Sequence, residues 1–279
     1  MIVKICLLWF TSILLMSGSE LTDSPASDFI RKRTTKESTL LETAITTYQK
    51  NDQKITLIGA IHIAEESYYL DLQKKFATHD LILFEMIGGD TPKALESLKK
   101  PNPNHPNYQI AQALQLVEQT QKLNYLAPNF RHADLTYSEY QDLLNESKKT
   151  TSLLDREITI PDDLTTQLLK KNLETNDLAV AKNRLITIFD QLDNTLAERE
   201  AITPSILLTT RNQKALATLK STLATDKPKH PALFFGAAHL PHLEKKIQKM
   251  GYKKTKQQWL VAWSVLNSSQ DYTAARHDL

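Results

Sequence analysis

Two short stretches decide the fold: Ile55-Thr-Leu-Ile-Gly-Ala-Ile-His62 and Ala232-Leu-Phe-Phe-Gly-Ala-Ala-His239. Each is an apolar run that ends in Gly-Ala-x-His and passes into a stretch with helical spacing. Apolar runs this short, closed by a glycine, fit strands buried on both faces, the kind found in parallel sheets. Glycine at a strand's end lets backbones approach closely, and the histidine three positions on lands on the loop or the first helical turn. The chain has six glycines in all, so two that open the same tetrapeptide, Gly59 and Gly236, mark a paired strand–GxxH–helix unit.

A third apolar run, Leu81-Ile-Leu-Phe84, is closed by Glu85. A carboxylate ending a buried strand is costly unless it finds a partner. Ligands of open α/β sheets gather at the carboxyl ends of the strands. With the three strands as parallel neighbours, His62, Glu85 and His239 project from one edge. Two imidazoles and a carboxylate leave positions for water and substrate, the pattern of a catalytic divalent metal such as Mn, Co, Zn or Fe. A shared ion needs the donor atoms within roughly 5 Å of one another, and separations beyond about 10 Å exclude it.

Outward from these runs, Leu41–Tyr48 and Lys54–Ile58 read as a hairpin across a four-residue turn, Lys50–Gln53. Ala64–Phe76 has Tyr68, Leu72 and Phe76 at helical spacing. Helices are expected at 92–100 and 108–123, and Thr136…Glu139 is a capping box opening another, to about Asn145. One or two amphipathic helices follow within 162–196, and Thr203-Pro204 starts a long one to about Ala224. The pattern then returns to β: a strand at 231–235, a helix at 240–250 ended by Gly251 as a left-handed cap, and a strand at 258–265. A central mixed sheet built from both ends of the chain, with a helical insert over about 92–224, is the economical arrangement. The fold class is α/β.

Composition narrows the function. The 279 residues carry 34 basic and 32 acidic side chains, a balance that excludes the basic surplus of a nucleic-acid binder. Lys4, the apolar run Ile5–Met16 and the small residues Ser17-Gly-Ser19 form a signal-peptide pattern over residues 1–19, so the protein is expected to be exported, periplasmic or secreted. The alternative is membrane anchoring by residues 5–16. Residues 20–37 read as a flexible leader, 38–268 as the folded domain and 269–279 as a flexible tail. The single cysteine, Cys6, lies inside the apolar run, so any metal site must use His, Asp, Glu or Asn.

The stretches TLIGAIHIAEESYYLDLQKKFATHDLILFEMIG and FFGAAHLPHLEKKIQKMGY resemble the TraB/PrgY/GumN family, which includes the Tiki metalloproteases. That family is marked by two GxxH motifs, an acid ending the strand after the first, and an Arg-Asn pair in a helix before the second. Here these are His62, Glu85, Arg211-Asn212 and His239, within a resemblance spanning about residues 40–265. The resemblance implies an erythromycin-esterase/ChaN-like fold with a metal-supported site between the GxxH loops. For the Tiki branch it implies Mn- or Co-dependent peptide cleavage. It also implies the alternative of a non-catalytic protein that sequesters a peptide, or haem or iron, in the same pocket.

Under the hydrolase reading, His62, Glu85 and His239 hold the metal, while Arg211 and Asn212 either support those ligands from behind or position the substrate carbonyl and stabilise the oxyanion. Alternatively, Glu85 is the general base and Asp134 a weaker third ligand. His132 lies two residues from Asp134 and is a second candidate to add or orient a ligand, although Asp134 also reads as the start of a turn. Glu65 and Glu66 are candidates for a base. Trp259 and Trp263, four apart in a strand pattern, are expected on one face of the sheet.

Overall fold

A computed structural model describes residues 29–150, 177–202 and 206–267, and the chain within them is mixed α/β. The segments 1–19, 20–28 and 269–279, the first part of the 162–196 helical stretch and the Thr203-Pro204 start lie outside the described residues. The main sheet contains β1 (Ile30–Thr34), β2 (Ser38–Lys50), β3 (Gln53–Ala60), β5 (Leu81–Phe84), β7 (Phe130–His132), β8 (Pro231–Gly236) and β9 (Lys253–Leu266). A separate two-stranded ladder pairs β4 (Ile63–Ala64) with β6 (Val117–Glu118). Strands β3, β8, β5 and β7 run parallel and adjacent in that order, while β2 pairs antiparallel with β1, β3 and β9. Strand β8, late in the chain, thus lies between two strands from its first third.

The parallel strands read as unbroken apolar runs because both of their faces are covered. One face packs under α1 (Glu66–Phe76), through Tyr68, Leu72 and Phe76, and under α6 (Leu178–Ile202), through Leu185 and Ile186. The other packs under α7 (Arg211–Thr225), through Ala215 and Leu219, and α8 (Leu240–Lys249), through Leu243 and Ile247. Between β5 and α6 lie α2 (Pro92–Leu98), α3 (Pro106–Ala113), the single turn α4 (Gln119–Lys122) and α5 (Tyr137–Thr150).

Several local expectations change. The hairpin loop is two residues, not four: Lys50 pairs with Gln53, and Asn51 takes a left-handed φ of 53°. The leader stops short of residue 37, because residues 30–34 form β1. Arg31 Nε donates to Glu42 Oε2 at 2.7 Å and Arg33 Nη2 to Oε1 at 2.8 Å, so a strand that looks polar is an amphipathic edge clamped on a buried acid. The helix expected over 108–123 ends at Ala113. There Gln115 adopts φ 53°, the Gln115 N–H donates to the Gln112 carbonyl and the Leu116 N–H to that of Ala111. That is a Schellman ending made without glycine, hence invisible to a search for one.

The insert is not wholly helical either, since Phe130–His132 joins the main sheet beside β5. Trp259 and Trp263 fall on opposite faces. Leu41 opposes Trp263 while Glu42 opposes Val261, so Ala262 is bulged and the alternation inverts between the tryptophans. Gly251 ends α8 at φ 93°, as a left-handed cap.

The capping box forms as read. Thr136 N–H donates to Glu139 Oε2 at 2.8 Å, and Glu139 N–H to Thr136 Oγ1 at 3.2 Å. Thr136→Ala should therefore cost about 1 kcal/mol, the usual worth of such a cap. Urea unfolding reads it, and an unchanged midpoint would mean the box contributes nothing.

Candidate functional site

Four adjacent parallel strands each deliver one polar residue at their carboxyl ends. His62 follows β3 by two residues, His239 follows β8 by three, Glu85 directly follows β5, and Asp134 follows β7 by two. The register aligns them: Ala60 opposes Gly236, Phe84 opposes Phe234, and the Glu85 N–H donates to the Phe234 carbonyl at 3.0 Å. The His62 loop is fastened along its backbone. Tyr68 Oη donates to the Gly59 carbonyl at 3.0 Å and Tyr69 Oη to that of Ile61 at 2.8 Å. The Gln119 N–H reaches the His62 carbonyl at 2.9 Å, and Trp263 Nε1 that of Ile63 at 2.7 Å. Pre-organisation of this kind lets a site act without first ordering its own loop.

Arg211 and Asn212 arrive from across the sheet at the first turn of α7, directly after a π-helical turn, Ile206–Thr210. Turns of this kind are rare and concentrate at functional sites. Arg211 lies between two carboxylates. Its Nη2 donates to Glu85 Oε1 at 2.6 Å and to Asp134 Oδ2 at 2.5 Å, and its Nε reaches Asp134 Oδ1 at 3.0 Å. All three residues are buried. Asp134 also accepts from the Leu135 N–H at 2.8 Å. Its carboxylate is therefore directed to Arg211 and its own turn, as a partner of the guanidinium and not as a ligand facing the histidines.

Asn212 is spent on His239. Its Nδ2 donates to the His239 carbonyl at 3.2 Å, which fixes the amide's orientation, and its Oδ1 lies 2.6 Å from His239 Nδ1. Nδ1 must then carry the proton, and Nε2 faces Glu85 Oε1 at 3.3 Å. The geometry makes Asn212 a positioning residue for His239, which is the supporting role and not the substrate-carbonyl contact of the two the sequence left open.

Gly236 brings the three candidate ligands together. Its N–H donates to Glu85 Oε2 at 2.5 Å. A methyl group placed on its Cα would lie 3.3 Å from Glu85 Oε2, 3.7 Å from His62 Nε2 and 3.8 Å from His239 Cδ2. Atoms 3.3 Å and 3.7 Å from one point are at most about 7 Å apart, so His62 and Glu85 satisfy the exclusion limit for a common ion, and His239 and Glu85 lie well inside it. As the side chains stand, no three His, Cys, Asp or Glu among the described residues are grouped to hold a metal ion.

Charge shapes these groups. Burial pushes the Glu85 carboxyl up, but the charges of His239 and Arg211 outweigh it and hold the group well below the usual carboxylate range. Burial pushes the His62 imidazole down, helped by Arg211 and His239 and opposed by Glu85 and Gln119, so it is neutral at neutral pH.

A cavity of about 500 Å³ opens in front of His62, Glu85 and Arg211. Its walls are α2 (Lys93, Ala94, Ser97), the start of α3 (His105, Asn107) and Glu118–Thr120. His105 Nδ1 lies 3.4 Å from Glu118 Oε1, a polar pair on the wall that the sequence offered no pattern to find. Three other candidates lie elsewhere. His132 Nε2 bonds the Met86 carbonyl at 2.6 Å, Glu65 accepts the Ser264 N–H at 2.6 Å, and Glu66 pairs with Lys122 at 2.7 Å. None of the three lines the cavity.

No family model, curated protein or solved structure matches the chain. The functional reading therefore rests on the geometry above, and the family resemblance enters only as a proposal.

Proposed function

We propose that this protein is an exported metal-dependent hydrolase of the TraB/PrgY/GumN type, with an erythromycin-esterase/ChaN-like fold, that cleaves peptides in the 500 Å³ cavity. One observation carries the reading. His239 Nε2 lies 3.3 Å from Glu85 Oε1, and one point beside Gly236 is within 3.7 Å of both Glu85 Oε2 and His62 Nε2, so two imidazoles and a carboxylate converge at the ends of three neighbouring strands.

The donor set fits a divalent ion in kind. His62 and His239 offer imidazole nitrogens. Glu85 has lone pairs to spare, because Arg211 and the Gly236 N–H each use only one on either oxygen. An ion bound there supplies Lewis acidity, which lowers the pKa of a bound water toward neutrality. The chain's own residues do the rest. Arg211 keeps Glu85 ionised and aimed, and Asn212 holds the ring of His239. His62, neutral and at the cavity wall, can coordinate or accept a proton at Nε2. The cavity walls bind and desolvate the peptide.

Purified protein reconstituted with Mn, Co, Fe or Zn should retain about one ion per chain, as a single site requires, and His239→Ala should retain none. A broad peptide library should be cut only by the loaded protein. A wild type that stays metal-free overturns the enzyme reading, and a loaded protein that cuts nothing overturns the peptidase subclass. The second reading is a sequestering protein for a peptide or for haem or iron. It uses the same cavity, whose wall carries His62 and His105 among apolar residues such as Met86, Ile87 and Leu98. It predicts saturable peptide or haem binding without turnover.

A further inference from the structure

We propose a second ligand site at the opposite edge of the sheet, one that takes an oxyanion group, phosphate or sulfate, free or carried by a small organic molecule. A cavity of about 420 Å³ lies at the amino-terminal ends of β3 and β8, away from the GxxH loops. Lys54, Lys75 and Lys256 line it together with four threonines, and no carboxylate does. Three ammonium groups and four hydroxyls without an acid make a site for negative charge.

The independent observation is His79. It is 8% exposed, and its Nδ1 lies 2.9 Å from the Lys75 carbonyl, which can only accept, so Nδ1 carries the proton. Its Nε2 is enclosed, has no hydrogen-bond partner, and belongs to a residue on the cavity wall. Leaving a buried ring nitrogen unsatisfied is costly; an oxyanion oxygen accepts from Nε2 once the ring is protonated, and a hydroxyl of the carrier molecule can donate to it when the ring is neutral. His230 lies beside it, ring centroids 4.3 Å apart and planes tilted by 49°, its Nε2 held at 2.9 Å by Thr56 Oγ1. The volume exceeds one inorganic oxyanion and suits a small molecule that carries one.

The groups around His79 set the pH response. Lys75 of α1, His230 at the start of β8, Lys54 of β3 and Lys256 of β9 are basic, and Asp80 is the nearby acid, accepting the Lys229 and His230 N–H groups. Burial and the neighbouring His230 hold His79 low without ligand. A bound dianion favours the protonated ring, so affinity should rise as pH falls through the histidine range.

Sulfate is the first probe, because its charge is constant across that range. Titration to about 0.1 M against chloride of equal ionic strength should shift the His79 ring resonances in NMR, and more strongly at low pH. Lys54→Ala/Lys256→Ala, which removes two exposed side chains, should weaken binding about tenfold or more, the worth of a charge-assisted contact. His239→Ala should leave sulfate binding unchanged, which separates this site from the metal reading. A phosphorylated sugar that binds more tightly than inorganic phosphate identifies the group as carried, and equal affinity identifies the free ion. No sulfate-specific shift of His79, or a shift unaltered in the double variant, overturns the proposal.

Discussion

Arg211→Leu should lower the stability of the protein by about 3–5 kcal/mol, the cost of leaving buried charge uncompensated. The guanidinium is 4% exposed and bonds two carboxylates, one of them fully enclosed, so its removal strands Glu85 and Asp134 together. A loss of that size is a large share of the roughly 5–15 kcal/mol a typical domain has. Arg211→Lys should fall between, because it keeps the charge and loses the planar fork that reaches both partners. The pH dependence has a definite sign. The folded Glu85 carboxyl lies well below its ordinary value of 4.5, so its contribution is present above that pH and lost as pH falls through the folded value. In the variant Glu85 loses the Arg211 charge and takes up its proton sooner. The gap to wild type should thus narrow on acidification, as read by urea midpoints from neutral pH down to about 4. A gap below about 1 kcal/mol at neutral pH would place the pair among weak surface-like ion pairs and refute the burial argument.

Glu85→Gln should abolish function while leaving a folded protein. The amide nearly matches the carboxylate in shape but replaces one acceptor oxygen with a donor. That donor must confront either Arg211 Nη2 or the Gly236 N–H. Metal affinity should fall by more than the 10–100-fold typical when only a ligand's outer partner is lost. Hydrolysis should fall by about 10²–10⁴-fold, the range for a group acting in proton transfer or a comparable role. Asn212→Ala supplies the comparison. Both of its side-chain hydrogen bonds described above go to His239, so its cost should stay within about 10–100-fold. Should Glu85→Gln bind metal as wild type does, Glu85 is no ligand, and the two histidines would need another acid.

What the sequence made legible were features with a strong local signature. The buried strands 55–60, 81–84 and 231–236 showed as unbroken apolar runs, and the box at Thr136 and Glu139 as a fixed spacing of complementary side chains. The convergence of His62, Glu85 and His239 followed from strand ends in a parallel sheet. Features set by distant contacts were hidden. Strand β1 looked like leader because its order comes from Glu42, eleven residues beyond Arg31. Strand β7 has only three residues, too few for a periodicity. The bulge at Ala262 leaves no compositional mark, yet it separates the two tryptophans. Within the site, Asn212 and Asp134 were found, but the sequence left each with more than one task. Their hydrogen-bond partners depend on where α7 crosses the sheet, which no local pattern encodes.

The placement of β8 between β3 and β5 has a consequence for how the chain is made. Roughly 150 residues separate the end of β5 from the start of β8, and at about 5–20 residues per second a ribosome takes on the order of ten seconds or more to supply them. Throughout that interval β3 and β5 each present an open hydrogen-bonding edge to their surroundings. A nascent chain held in this state is a natural client for a holdase and a hazard for self-association.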